Sequence, residues 1–102
     1  GCGNQIPYDC NQDGLLDISD PVCFLNFLFL GSPAALPCGD GSSLHPSNIR
    51  FGDPNGDNAL NIADPVYLLA YLFIGGPVPV LPFVCTYIED CPQHPSCVIC
   101  TP

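Results

Sequence analysis

The stretch that decides the fold is Asp9–Asp20, "DCNQDGLLDISD", which places four aspartates and one asparagine in twelve residues. The chain around it is nearly uncharged: 102 residues carry ten acids, one arginine (Arg50) and no lysine, for a formal net charge of −9. Like charges this close repel unless something between them gathers their oxygens. The arrangement returns 44 residues later as "DPNGDNALNIAD", Asp53–Asp64. The match runs on past both stretches, setting "SDPVCFLNFLFLGSP" (19–33) over "ADPVYLLAYLFIGGP" (63–77). Two copies are too few for a solenoid, so a pair packed face to face is the simpler outcome.

Each copy carries helix signals. Asp20-Pro21 and Asp64-Pro65 read as an N-cap followed by proline at the first helical position. Gly31 and Gly75-Gly76 read as stops, each with a proline beyond it. These signals predict helices over 21–30 and 65–74, too short to persist without packing.

Counting Asp9 as position 1, side-chain oxygens fall at positions 1 (Asp9), 3 (Asn11), 5 (Asp13), 9 (Asp17) and 12 (Asp20). Gly14 holds position 6, where a sharp turn is needed, and Leu15 offers only its carbonyl at position 7. The second copy repeats the pattern with Asp53, Asn55, Asp57, Ala59 (carbonyl), Asn61 and Asp64, and with Asn58 at the turn. Asparagine, after glycine, best tolerates a left-handed backbone. Oxygens at these intervals form an EF-hand-type loop, which wraps a hard cation. Magnesium asks for stricter octahedral geometry and retained waters, so two calcium ions are the expected occupants. Seven of the ten acids sit at these positions, and two divalent cations would bring the net charge from −9 to −5. With four carboxylates against three, loop one is expected to bind more tightly. The alternative is a pair of acidic turns that cap helices without metal.

Paired loops of this form, each running straight into a helix with none in front, resemble the type I dockerin fold, in particular the cysteine-bearing dockerin-like modules of bacterial secreted proteins. The resemblance covers 9–30 and 53–74. It implies two calcium ions, two antiparallel helices related by a pseudo-twofold axis, and the ligand residues given above. At loop positions 10 and 11, where cellulosomal dockerins usually present small hydroxylated residues to a cohesin, this chain has Ile18-Ser19 and Ile62-Ala63. Basic residues are absent from the helices. The expected architecture is a small, mainly α, disulfide-rich single domain (1–102). It comprises repeat one (9–33), a connector (34–52), repeat two (53–77) and an irregular Pro/Cys-rich tail (78–102).

Eight cysteines (Cys2, Cys10, Cys23, Cys38, Cys85, Cys91, Cys97 and Cys100) in so short a chain predict a disulfide framework formed in an oxidising compartment, with 105 pairings open. Cys10, Cys23 and Cys38 have no counterparts in copy two, which suggests a staple local to copy one. Zinc at Cys97-x-x-Cys100 near His94 is disfavoured, because no second such pair exists and both histidines precede proline. Methionine is absent, so the chain is expected to be processed or cut from a longer one.

The acidic balance argues against nucleic acid and anionic lipid as partners, both of which need basic patches. Prolines and glycines between 65 and 82 interrupt the long uncharged run, so no membrane insertion is expected. No recognisable catalytic motif is read, so no enzyme is expected: the motif acids are assigned to metal, and adjacent acids such as Glu89-Asp90 seldom converge across a substrate. The helices "PVCFLNFLFL" and "PVYLLAYLFI" carry no charge. Their outward faces are either wrapped by segments 75–87 and 39–52 or meet another molecule. These observations predict a secreted, extracellular or cell-surface calcium-binding protein whose partners are proteins, in first place copies of itself in a fibre or surface assembly. The alternative is a targeting or anchoring module, cut from a larger secreted protein, that binds a cohesin-like or other receptor. A short strand within 83–88 and a helical turn at 46–50 complete the expectations.

Overall fold

The computed structural model describes residues 2–98; Cys100 and the end of the tail lie outside the described residues. In chain order the elements are strand β1 (Asn4–Gln5), helix α1 (Ser19–Leu30), helix α2 (Pro46–Gly52), helix α3 (Ala63–Ile74) and strand β2 (Thr86–Tyr87). The two repeat helices end where glycine permits it. Gly31 (φ 65°) and Gly75 (φ 67°) adopt the left-handed conformation that closes a helix, and an added Cβ would meet nothing at either.

Both helices begin two residues earlier than the Asp-Pro signal predicts. The cap positions are Ile18 and Ile62, already in right-handed helical conformation and without side-chain capping bonds. Asp20 and Asp64 therefore lie inside the first turn. Their carboxylates reach back into the preceding loop, accepting from the N–H groups of Asp17 (3.1 Å) and Asn61 (2.9 Å). Of the two roles the sequence suggests for these aspartates, helix cap and position 12 of the loop, the carboxylates turn toward the loop.

α1 and α3 pack on each other, and the core gathers beside them from every part of the chain: Tyr8, Phe24, Leu36, Phe51, Leu60, Leu68 and Ile88. Phe24 and Phe51 meet with ring centroids 6.0 Å apart. α2, longer than the single turn predicted, starts with His45 Nδ1 accepting from Ser47 N–H (3.2 Å). It delivers Phe51 to the core and brings the Phe51 carbonyl to Tyr8 N–H (2.9 Å).

The tail packs down on its own domain. β2 pairs antiparallel with β1, Asn4 opposite Tyr87 and Gln5 opposite Thr86. Only two residues of the predicted 83–88 strand are paired. Three disulfides set this frame: Cys10–Cys23 within copy one, Cys38–Cys91 from connector to tail, and Cys85–Cys97 within the tail. Cys2 is disulfide-bonded as well. The result is a small, disulfide-rich, mainly helical protein, and the disulfides suggest an oxidising environment. No helix among the described residues is long and apolar enough to cross a membrane.

The segment 78–82 covers only part of the helix pair. Tyr67 donates to the Val78 carbonyl (2.7 Å), Val80 N–H to the Pro54 carbonyl (3.0 Å), and Leu81 N–H to the Tyr8 hydroxyl (2.9 Å). Val22, Phe29 and Leu30 of α1, and Val66, Phe73 and Ile74 of α3, remain exposed.

Candidate metal centres

The two loops fold in register, and the bonds from backbone N–H groups to their side-chain oxygens match one for one. Position 4 (Gln12, Gly56) and position 6 (Gly14, Asn58) are left-handed in both, with φ between 62° and 81°. Gln12 holds this conformation with its own side chain, Nε2 donating to the Asp9 carbonyl (2.8 Å). These turns aim successive N–H groups inward. Asp9 Oδ2 accepts from Gly14 N–H (2.9 Å), and Asp53 Oδ2 from Asn58 N–H (2.8 Å). Asn11 and Asn55 accept from the N–H groups of Asp13 (3.3 Å) and Asp57 (3.1 Å). Asp13 and Asp57 accept from Leu15 (2.9 Å) and Ala59 (3.0 Å). Asp17 and Asn61 accept from Ser19 and Ala63, both at 3.0 Å. One oxygen of each of these aspartates is thus tied to the backbone, which leaves the other free, whereas Asn11, Asn55 and Asn61 accept through their single side-chain oxygen.

Two triads of carboxylates result. In Asp9, Asp13 and Asp20, one oxygen from each lies within 4.8 Å of the others, and Asp53, Asp57 and Asp64 repeat the arrangement. Oδ1 of Asp9, Asp20, Asp53 and Asp64 is buried and takes part in no hydrogen bond among the described residues. A buried carboxylate oxygen with no donor is costly unless a cation or proton satisfies it. Four such atoms at equivalent positions of two loops fit a positive ion at each centre. Two metal ions can be held there, with only oxygen as donor, the chemistry of hard cations. Asp17 lies outside its triad, with Oδ1 turned to the Ser19 N–H and hydroxyl. Position 9 of such loops often acts through a water.

The electrostatics agree. Burial pushes the Asp20 carboxyl up to about 7; the bond from Asp17 N–H opposes the rise, and the Asp9 carboxylate adds to it. Asp64 is likewise raised to about 7 by burial, against its bond from Asn61 N–H and with a further push from Asp53. Asp13, at the exposed rim, is lowered, chiefly by the Leu15 N–H.

One participant went unanticipated. His94 is buried in the tail, and its Nε2 lies 2.5 Å from Asp9 Oδ2, with both side chains fully enclosed. The signal was present in the sequence. His-Pro-Ser occurs at 45–47 and again at 94–96, and in both the serine N–H donates to the histidine Nδ1. Among the described residues, no matching ring stands at loop two. Asp53 there lines an open cleft of about 610 Å³ with Arg50, Asn58 and Val80. The zinc alternative loses Cys97, which is bonded to Cys85, and His94, which faces Asp9; Cys100 lies outside the described residues.

No protein-family model, curated protein or solved structure matches this chain. The reading of the loops therefore stands on their own geometry and on the internal repeat.

Proposed function

We propose that this chain is a non-enzymatic, extracellular calcium-binding protein, a structural subunit of dockerin-like design that assembles with copies of itself. The observation that carries the reading is the set of four buried, unpartnered carboxylate oxygens at equivalent positions of two loops. Calcium fits them better than magnesium, because a twelve-residue loop supplies many protein oxygens in a flexible shell. Selective binding to the folded state adds about 1.4 kcal/mol per site for each tenfold of free calcium above Kd.

Self-association draws on the exposed apolar residues of α1 and α3, Phe29, Leu30, Phe73 and Ile74 among them. Beyond the loop aspartates, these helices bear no charge. Two copies at net charge −9 repel over most of their surface, and the neutral helix faces are where they approach at least cost. Calcium eases that repulsion by four charges per chain.

The test joins calorimetry to particle sizing. Two calcium ions per chain, with large particles that disperse on chelation, support both halves of the reading. Two ions with a monomer-sized particle in either buffer sink self-assembly and favour a separate receptor. Failure to bind calcium sinks the whole.

A further inference from the structure

His94 belongs to no repeat, yet it reaches the residue at position 1 of loop one from 85 places along the chain. Its bonding fixes what it offers. Nδ1 accepts from Ser96 N–H (2.9 Å), so a lone pair occupies that nitrogen and the ring hydrogen sits on Nε2. Nε2–H therefore donates to Asp9 Oδ2, the oxygen that also accepts from Gly14 N–H. With Oδ2 held by two donors, the carboxylate is fixed, and its buried Oδ1 is left without a hydrogen bond in the residue that shares a triad with Asp13 and Asp20. The ring itself has little freedom. His94 N–H donates to the Asn4 carbonyl (2.7 Å), its carbonyl accepts from Cys97 N–H (2.9 Å), and Cys97 is bonded to Cys85. The tail also closes on the turn of the loop, where a Cβ on Gly14 would stand 2.8 Å from Ser96 Oγ. At loop two, Asp53 keeps the single backbone donor, Asn58 N–H, and borders the open cleft.

We infer that His94 is a positioning residue for the first calcium centre. Held by the cystine-pinned tail, it donates through Nε2–H to Asp9 and presets that carboxylate for the ion, an aid the second centre lacks. The inference rests on the calcium reading of the loops and deepens it. The two centres differ by more than carboxylate count: the position-1 carboxylate has two donors on Oδ2 in centre one and one in centre two. Outer hydrogen-bond partners of metal ligands typically carry 10–100-fold in affinity, which sets the expected size of the effect.

The experiment measures calcium binding by calorimetry on the full, oxidised chain. An Asp57→Asn background isolates centre one, and an Asp13→Asn background isolates centre two. His94→Ala should weaken centre one 10–100-fold and change centre two by less than twofold. His94→Gln, which retains an amide donor, should recover much of the loss. Nitrogen-15 spectra of the unsubstituted chain should show the His94 hydrogen on Nε2. Unchanged affinity at centre one, equal losses at both centres, or a hydrogen on Nδ1 each overturns the inference and leaves the calcium reading intact. An unsubstituted chain that binds no calcium overturns the reading itself, and the role of His94 with it.

Discussion

Without metal, this protein should become less stable as pH rises from about 4 to about 7, the reverse of ordinary acid unfolding. Asp20 and Asp64 are raised from 3.8 to about 7 by burial, reinforced by the facing Asp9 and Asp53 carboxylates. An acid whose folded value lies above its unfolded value binds more protons in the native state. Its stabilisation is complete below the unfolded value, near 4, and is lost as pH climbs through the folded value. Each pH unit between the two is worth about 1.4 kcal/mol, so each carboxyl contributes at most about 4 kcal/mol. Against a stability of about 5–15 kcal/mol for a small domain, even a part of that is enough to be seen. Calcium reverses the trend, because it replaces the protons. At free calcium 100-fold above Kd, each site returns about 2.7 kcal/mol at neutral pH. At roughly 4–8 °C per kcal/mol for a domain of this size, the two sites together raise Tm by about 20–40 °C. The assay is thermal unfolding followed by circular dichroism, from pH 4 to 7.5, in chelator and in excess calcium. A chelator series that is flat or rising over this range, or a calcium increment as large at pH 4 as at pH 7, would refute the reasoning.

Four further outcomes are expected. Asp57→Asn removes one of the two calcium ions counted by calorimetry and leaves the other bound. Opening Cys38–Cys91, which spans 53 residues, by paired serine substitution costs about 4 kcal/mol in denaturant unfolding, whereas opening Cys10–Cys23, which spans 13, costs about 3. Gly52→Ala lowers Tm even though alanine is the better helix former: its Cβ would stand 2.9 Å from the buried Phe24 ring, and overpacking costs about 1–3 kcal/mol against a helical gain near 1. Leu30→Asp with Ile74→Asp, both on exposed positions, disperses assemblies seen by light scattering while calorimetry still counts two ions.

The loops and their helices could be read from the chain because their geometry is local. Oxygens two residues apart, a left-handed turn and a glycine stop are decided within about twenty residues, and the second copy checks the first. The two-residue error at the helix starts has a local cause too. Asp-Pro is a good cap, but the N–H groups of Asp17 and Asn61 compete for the same carboxylates and win. The tail gave no such purchase. Proline and cysteine spacing carries no period, Asn4–Gln5 has no strand pattern, and the Cys38–Cys91 pairing is settled by packing between connector and tail, whereas Cys10–Cys23 is the staple expected within copy one. His94 shows the limit most sharply. Its shared His-Pro-Ser setting could have revealed which nitrogen is occupied, but only the folded tail brings the other nitrogen to Asp9.

The disulfides also decide what becomes of this molecule once its backbone is cut. Most of the first loop lies between Cys10 and Cys23, and the second loop with all of α3 lies between Cys38 and Cys91. A single peptide bond hydrolysed in either stretch leaves two pieces that stay joined through the bridge. A protease that nicks either loop would therefore release nothing until a reductant opens that bridge.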